Sequence, residues 1–310
     1  MKHHPKLHTF AAVALMAVAM TSCLNNDGPT TDKFIVNSSI TPCYAVITDM
    51  ESNSAQTISY PVTLQCQTNW TDEVLDLSIS GIQIGASNLP VMSFTNLEIK
   101  QNKDGWLYNE STILESSKGQ LVTTNTLTNF KLEYLDRYDL MEALRSYKPA
   151  CAFEFVLDGR YQVTGATQSF FMGGSTEATP KGGSPFTTQG SLYTVELDMK
   201  KNTANITIAN AQFMAQMPVL TSIAFPDVPF TFGENGKTVI LEKDALTPTF
   251  AGTPNADYPI TDLKGVVKTD EGMELEFICT YKGLPFTVKA NLKFSDYKAC
   301  LLYTSDAADE

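Results

Sequence analysis

Histidine, the side chain that most often serves as a general acid or base in enzymes, is scarce in this chain of 310 residues. Its three histidines, His3, His4 and His8, all lie close to the N-terminus. A serine or cysteine nucleophile works beside a general base, most often histidine. The sequence also has no G-x-S-x-G elbow, phosphate-binding loop or dinucleotide fingerprint. We therefore predict a protein that is not an enzyme and that needs no metal or cofactor.

Three glutamates on predicted strands are the candidates for glycoside hydrolysis, which uses two carboxylates across a cleft. They are Glu133, Glu154 and Glu276. Glu154 lies between Phe153 and Phe155, and alternate residues of a strand point to opposite faces of a sheet. We therefore expect these carboxylates to face solvent rather than to form a catalytic pair.

Aromatic side chains in or beside predicted loops are the candidates for ligand binding. Exposed rings offer flat apolar surfaces to sugars and other apolar molecules. The alternative is that each ring covers the edge of a β core. The candidate ligand-binding residues are Trp70, Trp106, Tyr108 and Tyr134.

Four cysteines fall within the predicted folded part. Cys43 and Cys66 flank adjacent strand signals, so an exported protein can join them by a disulfide. The alternative is that they are buried free thiols. We expect free thiols for Cys151 and Cys279, because both lie on apolar strand faces.

The N-terminus, residues 1–22, has the pattern of a secretory signal peptide. Lys2 and Lys6 precede the apolar run Phe10–Met20, which is shorter than the ~20 residues that span a bilayer. Met20-Thr21-Ser22-Cys23 resembles a bacterial lipobox, which implies that Cys23 is lipidated and begins the mature chain. The alternative is an ordinary signal peptide with an incidental cysteine.

Residues 23–33 are polar and contain glycine and proline, which predicts a flexible tether behind the lipid. Acyl chains on Cys23 would anchor the protein to a membrane. We therefore expect an outer-membrane lipoprotein of the bacterial cell envelope, with the periplasmic and surface faces both left open.

The last residues, Cys300–Glu310 (CLLYTSDAADE), resemble a translation of the transposase adapter used in sequencing libraries. The alternative is a natural tail of small and acidic residues. We interpret residues 300–310 as adapter-derived and exclude them from the fold.

Strand signals dominate the rest of the chain. Short runs rich in Val, Ile, Thr, Phe and Tyr are separated by Gly, Pro, Asn and Asp, as in Ala204–Phe213. Only Tyr138–Tyr147 has helical spacing, and it ends before Pro149. The sequence predicts an all-β fold with one short helix.

The two halves of the chain contain collinear pairs of similar segments, which indicates an internal repeat. We predict two tandem related antiparallel β units, 34–165 and 166–299, each a barrel or sandwich of about six to eight strands. Gly173–Gly190 is rich in glycine and predicts a long loop near the start of the second unit. The pairs are Tyr44–Met50 with Tyr193–Met199, Leu77–Ile84 with Ile206–Phe213, Leu89–Val91 with Met217–Val219, Leu127–Lys131 with Ile260–Lys264, and Phe153–Gly159 with Leu275–Gly283.

The charge balance excludes one class of partner. The formal net charge is −12 and the pI is about 4.7. Binding to nucleic acid phosphates needs a basic face, so we expect no nucleic acid partner.

Several of these features together resemble a known group of proteins. The lipobox with its polar tether, the Leu89-Pro90 and Met217-Pro218 steps after alternating strands, and the late hairpin Phe277–Val288 are similar to those of uncharacterised Bacteroidetes-type surface lipoproteins with calycin-like (lipocalin-like) β-barrel domains. The resemblance implies an anchored binding module and supplies no catalytic residues.

Two functions of different classes are consistent with these features. We expect a lipid-anchored, non-enzymatic module that binds a small apolar or glycan ligand at a barrel mouth or between the units. The alternative is a structural or adhesive surface protein, pilin-like or a spacer, with protein partners.

Replacing the predicted lipidation site tests the membrane anchor. Cys23→Ala should move the protein from membrane to soluble fractions, because the acyl chains supply the predicted attachment. Cell fractionation with immunoblotting measures this change. A variant that stays in the membrane fraction would contradict the predicted lipid anchor.

Overall fold

The structure, a computed structural model, describes most of the chain between residues 36 and 296. The described residues are 36–52, 54–69, 72–98, 100–101, 107–114, 126–135, 138–139, 146–147, 150–215, 217–233, 236–294 and 296. All the elements in these ranges are β-strands. No helix in this part of the chain is long and apolar enough to cross a membrane.

The first half of the chain forms one large sheet and two small two-stranded sheets. In chain order its strands are β1 (Val36–Asp49), β2 (Ser54–Asn69), β3 (Val74–Ser80), β4 (Gln83–Ile84), β5 (Ser87–Asn88), β6 (Met92–Glu98), β7 (Lys100–Gln101), β8 (Leu107–Leu114), β9 (Leu127–Leu135), β10 (Tyr138–Asp139), β11 (Ser146–Tyr147), β12 (Ala150–Leu157) and β13 (Tyr161–Thr167).

The second half forms a single sheet. Its strands are β14 (Ser169–Pro180), β15 (Phe186–Asp198), β16 (Thr203–Ala211), β17 (Leu220–Phe232), β18 (Thr238–Leu246), β19 (Thr249–Phe250), β20 (Thr253–Pro254), β21 (Ile260–Lys268), β22 (Gly272–Tyr281) and β23 (Leu284–Lys293).

The eight long strands of the second sheet close into an antiparallel barrel. Each of β14, β15, β16, β17, β18, β21, β22 and β23 pairs with the next, and β23 pairs back with β14. Full closure removes the free edges that an open sheet presents. The short hairpin of β19 and β20 is inserted between β18 and β21 and touches β17 through Ala224 and Thr249.

Side chains fill the interior of this barrel. Alternate residues of the strands point inward, as in β21, where Leu263, Gly265 and Val267 are buried and Lys264 and Val266 are exposed. Phe277 lies with its ring centroid 5.0 Å from that of Phe225, in an edge-to-face contact. The barrel is therefore built around a packed core of apolar side chains.

The large sheet of the first half follows the same meander and curls into a half-barrel. Its strands β1, β2, β3, β6, β8, β9, β12 and β13 occur in this order, and β13 pairs back with β1. β6 pairs with β3 on one side, and the next segment, β7, pairs with β8. The strand β17 of the barrel changes partners in the same way, since Val228 pairs with β16 and Phe230 pairs with β18.

The bend that allows this change of partner has the same construction in both units. Asn96 of β6 and Asp227 of β17 adopt left-handed backbone conformations, with φ of 56° and 50°. The backbone N–H of Asn96 donates to Asp76 Oδ1 at 2.8 Å, and that of Asp227 donates to Asn205 Oδ1 at 3.1 Å. Such bulges bend a strand and increase its twist. The two units therefore share one backbone plan.

The last hairpins of the two units also match. Residues 158–160 join β12 and β13, and the backbone N–H of Arg160 donates to the Leu157 carbonyl across Asp158-Gly159. Lys282-Gly283 join β22 and β23, and φ is positive at Asp158, Gly159, Lys282 and Gly283. Two-residue turns of this kind fit the twist of the strands they join. The predicted all-β fold with two related antiparallel units is confirmed.

Four of the five paired segments lie on strands with the same place in the two meanders. The second pair of segments lies on β3 and β16, the third strands of the two meanders, and the third pair lies just before β6 and β17, the fourth strands. The fourth pair lies on β9 and β21, the sixth strands, and the fifth pair lies on β12 and β22, the seventh strands. The first pair does not match, because Tyr44 lies on β1 and Tyr193 on β15, whereas β1 corresponds to β14. Alternating apolar patterns resemble each other on any strand, so the pattern alone gave the wrong partner.

Two local predictions are wrong. Tyr138 pairs directly with Tyr147 in a two-stranded sheet, whereas the ends of a helix of that length would lie about 14 Å apart; the residues between 139 and 146 lie outside the described ranges. The expected loop Gly173–Gly190 consists mostly of β14 and β15, joined by a turn at 181–185. Glycine there allows close strand packing, since a Cβ at Gly174 would meet the backbone of Asn291.

The outer face of the first sheet packs against one end of the barrel. Tyr44 of β1 lies with its ring centroid 4.5 Å from that of Phe232, at the end of β17. Gly236, in the turn after β17, leaves no space for a Cβ beside Val46. The middle strands of the first sheet are therefore apolar on both faces.

The alternation of β22 can be tested with two neighbouring substitutions. Phe277→Ala should lower the free energy of unfolding by about 3–5 kcal/mol, because it opens a cavity in the barrel core. Glu276→Ala, on the outer face, should change it by no more than about 1 kcal/mol. Urea unfolding measures both values. Equal effects of the two substitutions would show that the inward and outward faces of β22 are misassigned.

Candidate functional site

Half of the predicted ligand-binding aromatic residues can be placed. Trp70 and Trp106 lie outside the described residues, as does the predicted lipidation site Cys23. Tyr108 on β8 pairs with Glu133, and Tyr134 on β9 pairs with Leu107. The two tyrosines therefore occupy neighbouring rows of one ladder, on positions of opposite faces.

The structure does not join the predicted disulfide pair. Cys43 lies opposite Val62 and Cys66 lies opposite Ser39, four positions away on the same ladder. That offset is about 13 Å along the strand, beyond the roughly 4.4–6.8 Å between the Cα atoms of a disulfide.

All four described cysteines are buried free thiols. Cys43 Sγ lies 3.8 Å from Cys151 Sγ. Burial raises the pKa of the Cys151 thiol well above its usual value and that of Cys279 to about 12. Buried thiols with raised pKa values are poor nucleophiles.

Two of the three glutamates expected to face solvent lie at the junction between the first sheet and the barrel. Glu133 is buried and its carboxylate lies 2.7 Å from Lys131 Nζ. Glu154 is partly buried and forms an ion pair with Lys237, at the start of the barrel strand β18. The alternating pattern correctly predicted that Glu133 and Glu154 lie on the outer face of the first sheet. This face does not meet solvent there, because the barrel end covers it. Glu276 is exposed, as expected.

This junction is too small to hold a ligand. Burial raises the pKa of Glu133, while the nearby Lys131 opposes the rise. The cavity between Glu133, Glu154, Lys237 and Asp270 has a volume of about 20 Å³, enough for about one water molecule. We therefore interpret the junction as a structural contact between the two units.

A cluster of aromatic rings lies at the opposite end of the barrel. This far end is formed by the four connections 181–185, 212–219, 247–259 and 282–283. The Tyr258 ring centroid lies 4.8 Å from that of Phe250 and 4.9 Å from that of Tyr281, and the two tyrosine rings are stacked. Phe250 and Tyr281 are partly exposed, whereas Tyr258 is buried beneath them.

A cation completes the cluster. Lys282 Nζ lies 5.1 Å from the Tyr281 ring centroid, within the range of a cation–π contact. Burial, together with the neighbouring phenol of Tyr281, raises the pKa of Tyr258 to about 12. The Tyr258 phenol is therefore a neutral hydrogen-bonding group at physiological pH.

Exposed aliphatic side chains extend this apolar surface around the rim of the far end. Val219, before β17, is 55% exposed, and Leu284, at the start of β23, is 58% exposed. Exposed apolar patches that are rimmed by polar residues often mark a binding surface. The partly buried neighbours at this end are Met214, Leu220 and Leu246.

The corresponding turn of the first unit has a different surface. Leu157, the counterpart of Tyr281, is buried, and Asp158 takes the place of Lys282. Arg160, the counterpart of Leu284, forms an ion pair with Asp49 at 2.7 Å and approaches Glu51 at 3.4 Å. The same backbone turn is closed by charges in one unit and exposes apolar groups in the other.

The sequence did not single out this aromatic cluster. Phe250, Tyr258 and Tyr281 lie at strand ends far apart in the chain, and nothing in their spacing distinguishes them from core residues. Aligning the two hairpin turns would have drawn attention to Tyr281, because its counterpart is Leu157.

Comparison with known proteins adds no constraint. No protein-family model matches the chain, and no curated protein is similar to it. Within the described ranges, no group of three His, Cys, Asp or Glu side chains is arranged to hold a metal ion. The aromatic cluster at the far end is therefore the candidate site on geometry alone.

Two carboxyl groups should respond to acid in opposite directions. The raised pKa of Glu133 means that the folded state holds its proton more tightly than the unfolded state. Wild type should therefore gain stability relative to Glu133→Gln as the pH falls from about 7 to about 4. Hydrogen bonds from Arg160 lower the pKa of Asp49 from 3.8 to about 2. The advantage of wild type over Asp49→Asn should therefore be present at about pH 5 and disappear as the pH falls toward 2.

Urea unfolding across this pH range measures both differences. Two substitutions with the same sign of pH dependence would contradict the assigned environments of Glu133 and Asp49.

Proposed function

We propose that the protein is a non-enzymatic binding module of the bacterial cell envelope, held by an N-terminal lipid at Cys23 and similar to calycin-like surface lipoproteins. Its ligand is a small apolar or glycan molecule. The site is the far end of the barrel, around Tyr258 and Tyr281. The sequence left two places open, a barrel mouth and the space between the units, and we propose the barrel mouth.

The observation that carries the proposal is the partly exposed Tyr281 at the far end, stacked on the buried Tyr258. Tyr258 supports Tyr281 from below at 4.9 Å, so the outer ring is held in one orientation. A fixed ring loses little conformational entropy when a ligand stacks on it. The matching turn of the first unit, closed by Arg160 and Asp49, offers no such surface.

The ligand lies across the rim rather than deep in the barrel. Phe213, Phe225 and Phe277 occupy the interior beneath the far end. A molecule at the rim covers Tyr281 and Leu284, and an aromatic contact contributes about 0.5–1.5 kcal/mol beyond its buried area. We therefore expect modest affinity for a ligand of one or two rings.

A second candidate is a structural or adhesive surface protein with protein partners. The filled interiors of both units favour it, since a spacer needs stable cores and no cavity. In that case the exposed Val219 and Leu284 would contact another protein instead of a small molecule.

A substitution at the outer ring tests the site. Titration of the soluble domain with phenyl β-D-glucoside, followed by NMR, should give saturable binding in wild type. Tyr281→Ala should weaken it about tenfold, because it removes the stacking surface. Tyr161→Ala is the matched control, since Tyr161 also lies beside a hairpin turn under a cation, Arg160, and it should leave binding unchanged.

Two results would overturn the proposal. One is the absence of saturable binding to wild type, and the other is an equal loss in both tyrosine variants. Concentration-dependent self-association in analytical ultracentrifugation, abolished by Tyr281→Ala, would favour the second candidate instead.

A further inference from the structure

We propose that the ligand of the far end carries an anionic group, a carboxylate or a phosphate, which binds to Lys181 and Lys282 while its ring or apolar part contacts Tyr281 and Leu284. This inference rests on the proposed function, because it concerns the same site. It adds the charge of the ligand, which the stacked rings alone do not determine.

The strand pairing places the two lysines on neighbouring connections. Pro180 at the end of β14 pairs with Phe286 of β23, and the backbone N–H of Lys181 donates to the carbonyl of Pro285 at 3.3 Å. Lys282 lies in the turn that starts β23. Both lysines are exposed at the end of the same part of the barrel wall.

Apolar groups lie beside Lys282 on the hairpin of β22 and β23. Tyr281 pairs with Leu284 across the tip of β22 and β23. Leu284 is the next residue but one after Lys282, and Lys282 lies over the Tyr281 ring. A molecule with an anion beside a ring or acyl chain matches this combination of cation and apolar surface.

The charge of the far end contrasts with that of the whole chain. The net charge of the protein is −12. The connections 181–185, 212–219, 247–259 and 282–283 contain Lys181, Lys282 and one carboxylate, that of Asp257. Two ammonium groups beside apolar side chains in an acidic protein attract an anion to this end in particular.

The first unit provides an internal comparison. Its matching turn also holds a cation, Arg160, but the carboxylates of Asp49 and Glu51 bind it within the protein. Within the described residues, neither Lys181 nor Lys282 forms an ion pair. The cations of the far end are therefore available to a ligand, whereas that of the first unit serves stability.

A pair of probes that differ in one carboxylate tests the inference. Phenyl β-D-glucuronide should bind wild type about fivefold more tightly than phenyl β-D-glucoside at low salt, since each exposed ion pair contributes a small increment. The preference should shrink below about twofold in 0.5 M NaCl, which screens exposed charges. NMR titration of the soluble domain measures both affinities.

Lysine variants locate the effect. The double variant Lys181→Gln with Lys282→Gln should bind the two probes with equal affinity, because it removes both ammonium groups that would bind the carboxylate; a preference that persists in this variant would contradict the inference. Lys264→Gln is the matched control, because Lys264 is exposed on the barrel wall opposite Glu242 and Glu276, away from the far end. It should keep the preference.

The outcomes separate this inference from the proposed function. Equal affinity of wild type for the two probes would contradict the inference that the ligand is anionic. Loss of the preference in Lys264→Gln as well would contradict it too. Neither result would contradict the proposed binding site. No binding of either probe would overturn the proposed function, and the inference with it.

Discussion

Closure of the eight-stranded meander is the constraint on which the rest of the structure depends. A sheet closes onto its first strand only when its strands tilt and their hydrogen-bond register is staggered. In the barrel β17 shows this stagger, because its first part pairs with β16 and its last residues pair with β18, and the left-handed residue Asp227 bends it between the two. Asn205 accepts the N–H that the bulge releases from the ladder. Without this bend, two strand edges would keep unpaired donors and acceptors.

The stacking of the barrel end on the first sheet follows from that closure. Residues of β1 alternate between two cores, with Ala45 facing the half-barrel and Tyr44 and Val46 facing the barrel end. Charged residues at the margin of the covered face then need partners, because an unpaired buried charge is costly. Lys131 beside Glu133 and Lys237 beside Glu154 meet this need.

The sequence predicted what depends on local pattern and missed what depends on tertiary contact. Alternation identified the strands and, through four paired segments, the two related units. The same alternation assigned Glu133 to solvent, because it cannot show that a second unit covers the outer face. The helix predicted over Tyr138–Tyr147 rested on the helical spacing of Leu140, Met141 and Leu144, but its two end residues pair as opposite residues of a ladder. The far-end cluster was missed because Phe250 and Tyr281 are brought to Tyr258 only by the tertiary packing of the inserted hairpin and of β22.

Two related units with filled cores can differ in function only at their surfaces and ends. The turn that joins the last two strands shows how: one backbone conformation, with positive φ at both residues, carries Asp158 in the first unit and Lys282 in the second. In the first unit, Arg160 and Asp49 make the turn part of the stable framework. In the second, Tyr281 is partly exposed and Leu284 is largely exposed, so these apolar side chains contribute less burial free energy to folding. Apolar surface that folding leaves uncovered is available to a ligand, so the turn that contributes less to stability is the one where binding is expected.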